Sequence, residues 1–268
     1  MSTEPAAARP ASTILLLRDA AAAAEIEVFM MVRNRQIEFA SGALVFPGGS
    51  VDSADRAIIE RPELYREAPG DDPETLSFRI AAIRETFEES GILLARPRGA
   101  DALISAERAG EIEASHRAAL CAGEVSFAEI VAGHDLVLAL DQLVPYARWV
   151  TPVLLPKRFD TWFFLAKAPP EQLGRHDGHE STDSIWLSPR EALAGADDGR
   201  FNLPFPTTRN LIRLGRQPSV AAALEDARQR AVVTVMPEMT KQPNGKVQLR
   251  IPAAAGYDGE VFEVARAV

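Results

Sequence analysis

Arg84-Glu85-Thr86-Phe87-Glu88-Glu89-Ser90-Gly91 is the stretch on which the reading of this chain turns. Wound at about 100° per residue with Glu85 at zero, Glu88 falls near about 300° and Glu89 near about 40°, so the three carboxylates share an arc of roughly 100°. Leu76, Ile80, Ile83 and Phe87 fall between about 160° and 220° and form the opposite, apolar stripe. Upstream, Asp72 is a good N-cap, Pro73 fits the first helical position and Glu74 suits the positive end of the helix dipole. Gly91 supplies the left-handed residue that closes a helix. The pattern predicts a helix over residues 73–90, buried on one side and acidic on the other.

Like charges three and four residues apart cost about a few tenths of a kcal/mol each on an exposed helix, and Glu85 has such a neighbour in both Glu88 and Glu89. Only Arg84 is nearby to offset them, so something else should compensate. Oxygen ligands grouped on a rigid face suit a hard cation such as Mg²⁺ or Mn²⁺, which keeps waters that can become nucleophiles. A solvated acidic face is the simpler reading of an isolated Glu-x-x-Glu-Glu, so the surrounding sequence has to decide.

Working outward, Thr13 to Arg18, Ile26 to Val32 and Gly42 to Phe46 read as three strands, the last running into Pro47-Gly48-Gly49. Pro47 removes a ladder donor, and Gly48-Gly49 marks a place where backbone must turn or come close to something. Residues 50–71 read as an inserted loop with one helical turn around Arg56 to Glu60. Residues 105–133, rich in Ala and Glu, read as a helical insertion of two helices. Trp149 to Leu154, Thr161 to Ala166 and Ser184 to Leu187 are further strands, and Pro189 to Ala194 and Pro206 to Arg213 are helix starts. Pro243-Asn244-Gly245 is a turn signal joining Val232 to Val235 with Lys246 to Ile251 in a hairpin.

These elements define an α/β chain with a loose tail over 1–12, a main domain over 13–215 with insertions near 50–71 and 100–140, and a C-terminal helix and β extension over 216–268 packing on that domain. The extension either covers an edge strand or makes a homodimer; the sequence leaves both open.

Composition narrows the function. The chain has 268 residues, 47% hydrophobic and 25% charged, as a folded globular protein does. Its net charge of -9 opposes a broad grip on a nucleic-acid backbone. No run approaches the roughly 18 apolar residues that cross a bilayer, and the first dozen residues lack a signal core, so no membrane partner is expected. Cys121, the single cysteine, forms no internal disulfide and reads as core filler in an Ala-rich stretch. His116, His134, His176 and His179 are not spaced as a metal cluster and read as surface or loop residues.

The context of the acidic helix, Arg84-Glu85-x-x-Glu88-Glu89-x-Gly91-Ile92 preceded by a strand and Gly48-Gly49, resembles the Nudix family, whose box is G-x5-E-x7-R-E-U-x-E-E-x-G-U with U aliphatic. Gly49, Arg84, Glu85, Glu88, Glu89, Gly91 and Ile92 match. Thr86 departs from the aliphatic position, and Gly49 to Arg84 is 35 positions where the box needs 14, so about 21 residues are inserted and the first box Glu has no assigned place. The resemblance implies a Nudix α/β/α sandwich with a mixed sheet, a helical insertion and a C-terminal hairpin extension. It implies Glu88 and Glu89 as principal metal ligands, Glu85 as a further ligand or general base, and the Gly49 carbonyl as a fourth contact, with Mg²⁺ or Mn²⁺ as cofactor. Arg84 is implied to hold a carboxylate of the helix in place. Glu180, six residues before Trp186, is similar to a distant catalytic Glu that some members carry on a loop.

The resemblance also implies hydrolysis of a phosphoanhydride in a small nucleotide substrate, giving two phosphate monoesters. Arg33 followed by Gly42-x3-Phe46-Pro47-Gly48-Gly49 is similar to the coenzyme A diphosphatase branch, although Glu38 stands where that branch has a second Arg. Arg148-Trp149-Val150-Thr151-Pro152 and Arg158 to Phe164 resemble its peroxisomal members and their bacterial relatives. Arg33, Arg35 and Arg158 are the expected phosphate contacts, since a guanidinium suits bidentate phosphate binding. ADP-ribose or a dinucleotide such as NADH is the alternative substrate, and a non-catalytic nucleotide-binding module the alternative class. The ending Arg266-Ala267-Val268 is not a Ser-Lys-Leu signal, which gives an expectation of a cytoplasmic location.

Overall fold

A computed structural model describes residues 6–20, 25–33, 43–67, 72–172 and 181–264. The run Ile14-Leu15-Leu16-Leu17 lies in β1 (Arg9–Asp19) and is buried on both faces of the sheet, as an unbroken apolar run in a central strand should be. The strand begins at Arg9, inside the stretch expected as a loose tail, because pairing on both sides orders residues 9–12. β2 (Ile26–Arg33) runs antiparallel to it through Leu17 and Val28. β3 (Leu44–Val45) then pairs β2, and β4 (Gly48–Ser50) pairs β1, setting Gly49 opposite Ser12 and Gly48 opposite Thr13.

Where a loop with one turn was expected, the chain forms α1 (Ser53–Ile59), capped by Asp52, whose side chain accepts from the Ala54 N–H at 2.7 Å. α2 (Leu76–Ser90) is the expected acidic helix, entered through a 3-10 turn at Pro73–Thr75 capped by Asp72 and closed by Gly91 at φ 74°. β5 (Ala95–Pro97) leads to α3 (Ala106–Cys121) and α4 (Phe127–Gly133), capped by Ser105 and Ser126, and β6 (Leu136–Leu138) returns to pair β5.

β7 (Val144–Val150) and β8 (Phe159–Lys167) are antiparallel, and β8 runs parallel to β1, bringing Trp162 beside Ser12. The strand expected to continue to Leu154 stops at Val150: Pro152 and Pro156 bracket a turn in which Leu154 is 74% exposed. β9 (Ser181–Leu187) pairs β2 on its far side. α5 (Pro189–Asp197), α6 (Phe205–Leu214) and α7 (Val220–Gln229) follow.

The hairpin in the C-terminal extension is shifted from its expected register. Thr234 and Val235 form β10, which joins the main sheet parallel to β7, and the turn at 243–245 instead joins β11 (Glu238–Lys241) to β12 (Val247–Arg250), with β13 (Val261–Val264) alongside. Of the two roles left open for this segment, the structure shows β10 covering the β7 edge.

Alternate residues of β1 feed two cores. Ile14 and Leu16 face α2 together with Phe29 and Phe164, while Leu15 and Leu17 face the side of Leu211, Leu214 and Ala223 from α6 and α7. The first core continues past α2 to Ile112, Phe127, Ile130, Leu136 and Leu138 of the insertion. The insertion thus adds an outer helical layer, and α2 is buried on both sides instead of one. Arg79, fully buried, fastens the two layers by donating to the carbonyls of Leu140 and Leu143.

Two further expectations change. Cys121 ends α3 with its side chain exposed, its Sγ 3.8 Å from the Glu88 carbonyl, so it fills no core. His116 and His134 are half-buried and face each other; His176 and His179 lie outside the described residues.

Candidate active site

The carboxylates of α2 meet the sheet at β4. The Gly48 N–H donates to Glu89 Oε2 at 2.8 Å, and a methyl placed on Gly49 would stand 2.5 Å from the Glu85 carboxylate. Glycine is required here by close approach: any side chain at 49 would occupy the space that Glu85 fills. Gly48 adds a second constraint, since its φ of 155° and the adjacent Ser12 carbonyl leave no room for a Cβ.

Arg84 organises the turn from below. Its Nε and Nη2 reach Asp55 Oδ1 and Oδ2 at 2.7 and 2.8 Å in a forked pair. Nη2 also donates to the Ser50 carbonyl at 2.9 Å, and Nη1 lies between Glu85 Oε1 at 3.0 Å and Glu88 Oε1 at 3.1 Å. Burial opposes the charge on this guanidinium, but hydrogen bonding to Asp55 and the fields of Glu85, Asp55 and Glu88 outweigh it, holding Arg84 well above its ordinary value. It is a permanent cation inserted between two glutamates, and it offsets part of their mutual repulsion.

Asp55 was missed in the sequence. It is fully buried at the third helical position of α1, and its carboxylate also accepts the Asp52 N–H at 2.8 Å. It stands six residues after Gly49, the box's spacing for its first acidic residue, so the insertion follows that position instead of displacing it. The spacing was a sufficient signal; an Asp in place of a Glu and the long gap to Arg84 hid it.

The other expected site residues are distributed less tightly. Arg33 ends β2 opposite Ser181, and its side chain is outside the described atoms, as are Arg35 and Glu180, two residues and one residue beyond that pair in sequence. Arg158 is not brought to the carboxylates. It precedes β8 at the level of position 8 in the β1 register, four residues from Ser12, or roughly 13 Å along the strand. Its guanidinium donates to the carbonyls of Thr151 at 3.1 Å and Ala6 at 2.6 Å, holding the 151–158 turn against the start of the chain.

Glu85, Glu88 and Glu89 fit a hard divalent cation by donor type, being three carboxylates within one helical turn. Among the described residues no three ligating side chains close around one point, because Glu85 and Glu88 are turned onto Arg84 and Glu89 onto Gly48. A cavity of about 270 Å³ lies on the other side of the sheet, lined by Tyr146, Arg213, Arg230 and Tyr257, away from this turn.

A mixed sheet between helical layers, with an Arg-Glu-x-x-Glu-Glu turn docked on a Gly-Gly strand, defines a Nudix fold. The family model described as the NUDT19 Nudix domain matches residues 60–214, and the chain belongs to that family. It is 28% identical over 233 residues to the human acyl-coenzyme A diphosphatase NUDT19, covering 72% of this chain and 62% of that protein. The Xenopus laevis protein of the same name is 27% identical over 227 residues, covering 71% of this chain and 60% of the relative. The chain thus spans about three fifths of the length of these relatives. A crystal structure of a Nudix hydrolase from Alicyclobacillus acidocaldarius superposes with a TM-score of 0.70 at 28% identity, covering 82% of this chain and 96% of that one. Among the described residues no helix is long and apolar enough to cross a membrane.

Proposed function

We propose that the chain is a metal-dependent diphosphatase that hydrolyses a phosphoanhydride in coenzyme A or an acyl-coenzyme A. The observation that carries the catalytic part is the docking of Glu85, Glu88 and Glu89 on Gly48-Gly49 with the Arg84–Asp55 pair behind them. A nucleotide-binding module without chemistry has no need of this arrangement, and with Asp55 in place the acidic positions of the box are all filled. The substrate class rests on the names of the relatives and on the resemblance around Arg33 and Gly42 to Gly49.

In this reading Glu88, Glu89 and Glu85 would hold Mg²⁺ or Mn²⁺, with the Gly49 carbonyl beside them. When bound, the ion neutralises phosphoryl oxygens and lowers the pKa of a coordinated water. The chain's own groups do the rest. Gly48 fixes Glu89 through its N–H, Gly49 keeps the approach to Glu85 narrow, and Arg84, fixed by Asp55, sets the orientation of Glu85 and Glu88. Glu85, as a further ligand or as the general base, would serve the attacking water, in the second role by accepting its proton. Water adds to one phosphorus, the bridging P–O bond breaks with its electron pair on the departing phosphate, and two phosphate monoesters result. Arg33 and Arg35 remain proposed phosphate contacts and Glu180 a proposed further carboxylate; Arg158 is assigned to the 151–158 turn.

A substrate panel with Mg²⁺ or Mn²⁺ tests this reading. Coenzyme A or an acyl derivative should be split into one product bearing adenosine 3′-phosphate and one bearing the pantetheine arm. Cleavage of ADP-ribose or NADH alone would keep the chemistry and discard the substrate. Nucleotide binding with no cleavage of any member would leave a binding module. Glu88→Gln and Glu89→Gln should each lower turnover by roughly 100-fold with the fold intact; full activity in both would move the metal elsewhere.

A further inference from the structure

The insertion brings two imidazoles into contact. His116 on α3 and His134, the residue capping α4, approach with Nε2 atoms 2.9 Å apart, ring centroids 4.9 Å apart and planes at 76°. As an all-protein contact this requires the two rings to hold opposite tautomers, one Nε2 donating and the other accepting. The backbone holds His134 in this position: its N–H donates to the Ile130 carbonyl at 3.1 Å, and its own carbonyl accepts from Arg108 Nη2 at 3.0 Å.

We propose that His116 and His134 form a second metal site, in which the two Nε2 atoms take one borderline divalent ion of the zinc, nickel or copper class and water completes the shell. Imidazole nitrogen selects these ions over the hard cations that suit the carboxylate turn, so the two sites differ in donor chemistry as well as in place. Among the described residues no third ligating side chain joins the pair, which makes the site exchangeable and unlike a closed structural centre. The neutral ring is the ligand form.

The site also has a mechanical consequence. Arg117, next to His116, donates to the Glu88 carbonyl at 2.8 Å and pairs with Glu113 at 2.7 Å, and the Glu113 carboxylate lies against Gly91 at the end of α2. An ion that fastens α3 to α4 therefore tightens the layer that holds the C-terminal end of the acidic turn.

Calorimetric titration of the full chain with Zn²⁺ or Ni²⁺ in saturating Mg²⁺ tests the proposal. One saturable ion per chain is expected, with affinity falling about tenfold or more in both His116→Gln and His134→Gln. Absence of saturable binding, or equal affinity in the wild type and both variants, overturns the site. A measurement on the unaltered chain guards against variants that fold poorly: both nitrogens must be unprotonated, so affinity should drop on acidification from about pH 7.5 to about pH 5.5. Affinity unchanged over that range would also overturn it.

Discussion

Arg84 and Asp55 illustrate how one pair can carry both stability and site geometry. The guanidinium is nearly buried, Asp55 is wholly so, and the fork between them is matched on both sides by further bonds to Ser50, Glu85, Glu88 and Asp52. Removing Asp55 strips the fork from a nearly buried guanidinium that keeps only its bonds to Ser50, Glu85 and Glu88, which costs about 1–3 kcal/mol. Asp55→Ala should therefore lower the free energy of unfolding by that amount in urea denaturation, and turnover should fall because Glu85 and Glu88 lose their fixed cation. Gly49→Ala separates geometry from stability. Position 49 requires no left-handed backbone, and the methyl would meet the movable end of Glu85, 2.5 Å away. The carboxylate must swing aside, so turnover should fall by roughly tenfold or more while the melting temperature stays near that of the wild type. Equal activity in Gly49→Ala would remove Glu85 from the chemistry.

At the scale of elements, the acidic helix was readable because three independent signals agreed: an Asp72–Pro73 start, a Gly91 stop, and the apolar and acidic arcs between them. α3 and α4 were readable only as two helices within an Ala- and Glu-rich stretch over 105–133; the Ser105 and Ser126 caps that start them emerge from the structure. What the sequence concealed depended on contacts between distant segments. Nothing local shows that Leu136 and Leu138 will pack across the insertion and bury the outer side of α2, nor that β10 will join β7 and shift the hairpin to β11 and β12. Asp55 was hidden for a related reason, its partner lying 29 residues away. The packing of α3 on α4 also makes a prediction about acid. The fold holds His134 below its ordinary value of 6.5, so the unfolded chain binds a proton first as pH falls. The stability linked to this ring is complete above about pH 6.5 and is lost as pH drops through the folded value. In metal-free buffer the melting temperature should decline between about pH 7 and pH 5, and His134→Gln should flatten that decline; an equal slope in the variant would assign the acid sensitivity to other groups.

For the whole molecule, the sheet divides the work between its two faces. One carries α2, the insertion and the carboxylates; the other is closed by α6, α7 and the C-terminal extension. The closure centres on Tyr257, whose hydroxyl accepts from Trp149 Nε1 at 3.2 Å and donates to Asn210 Oδ1 at 2.7 Å, with the Trp149 and Tyr257 rings 5.2 Å apart. Asn210 is fully buried, and its Nδ2 has no partner among the described residues, so this amide depends heavily on the bond that remains. Tyr257→Phe keeps the ring contact but strips a buried indole N–H and a buried amide oxygen of their partner. A loss of about 1–3 kcal/mol is expected. Since the disturbance lies on the face away from α2, turnover per folded molecule should be unchanged at a temperature where the variant remains folded. Denaturation curves and assays on the same preparation check both halves: a drop in turnover without a drop in stability would mean that the C-terminal extension acts on the carboxylate turn through the sheet, and the two faces would then be coupled instead of independent.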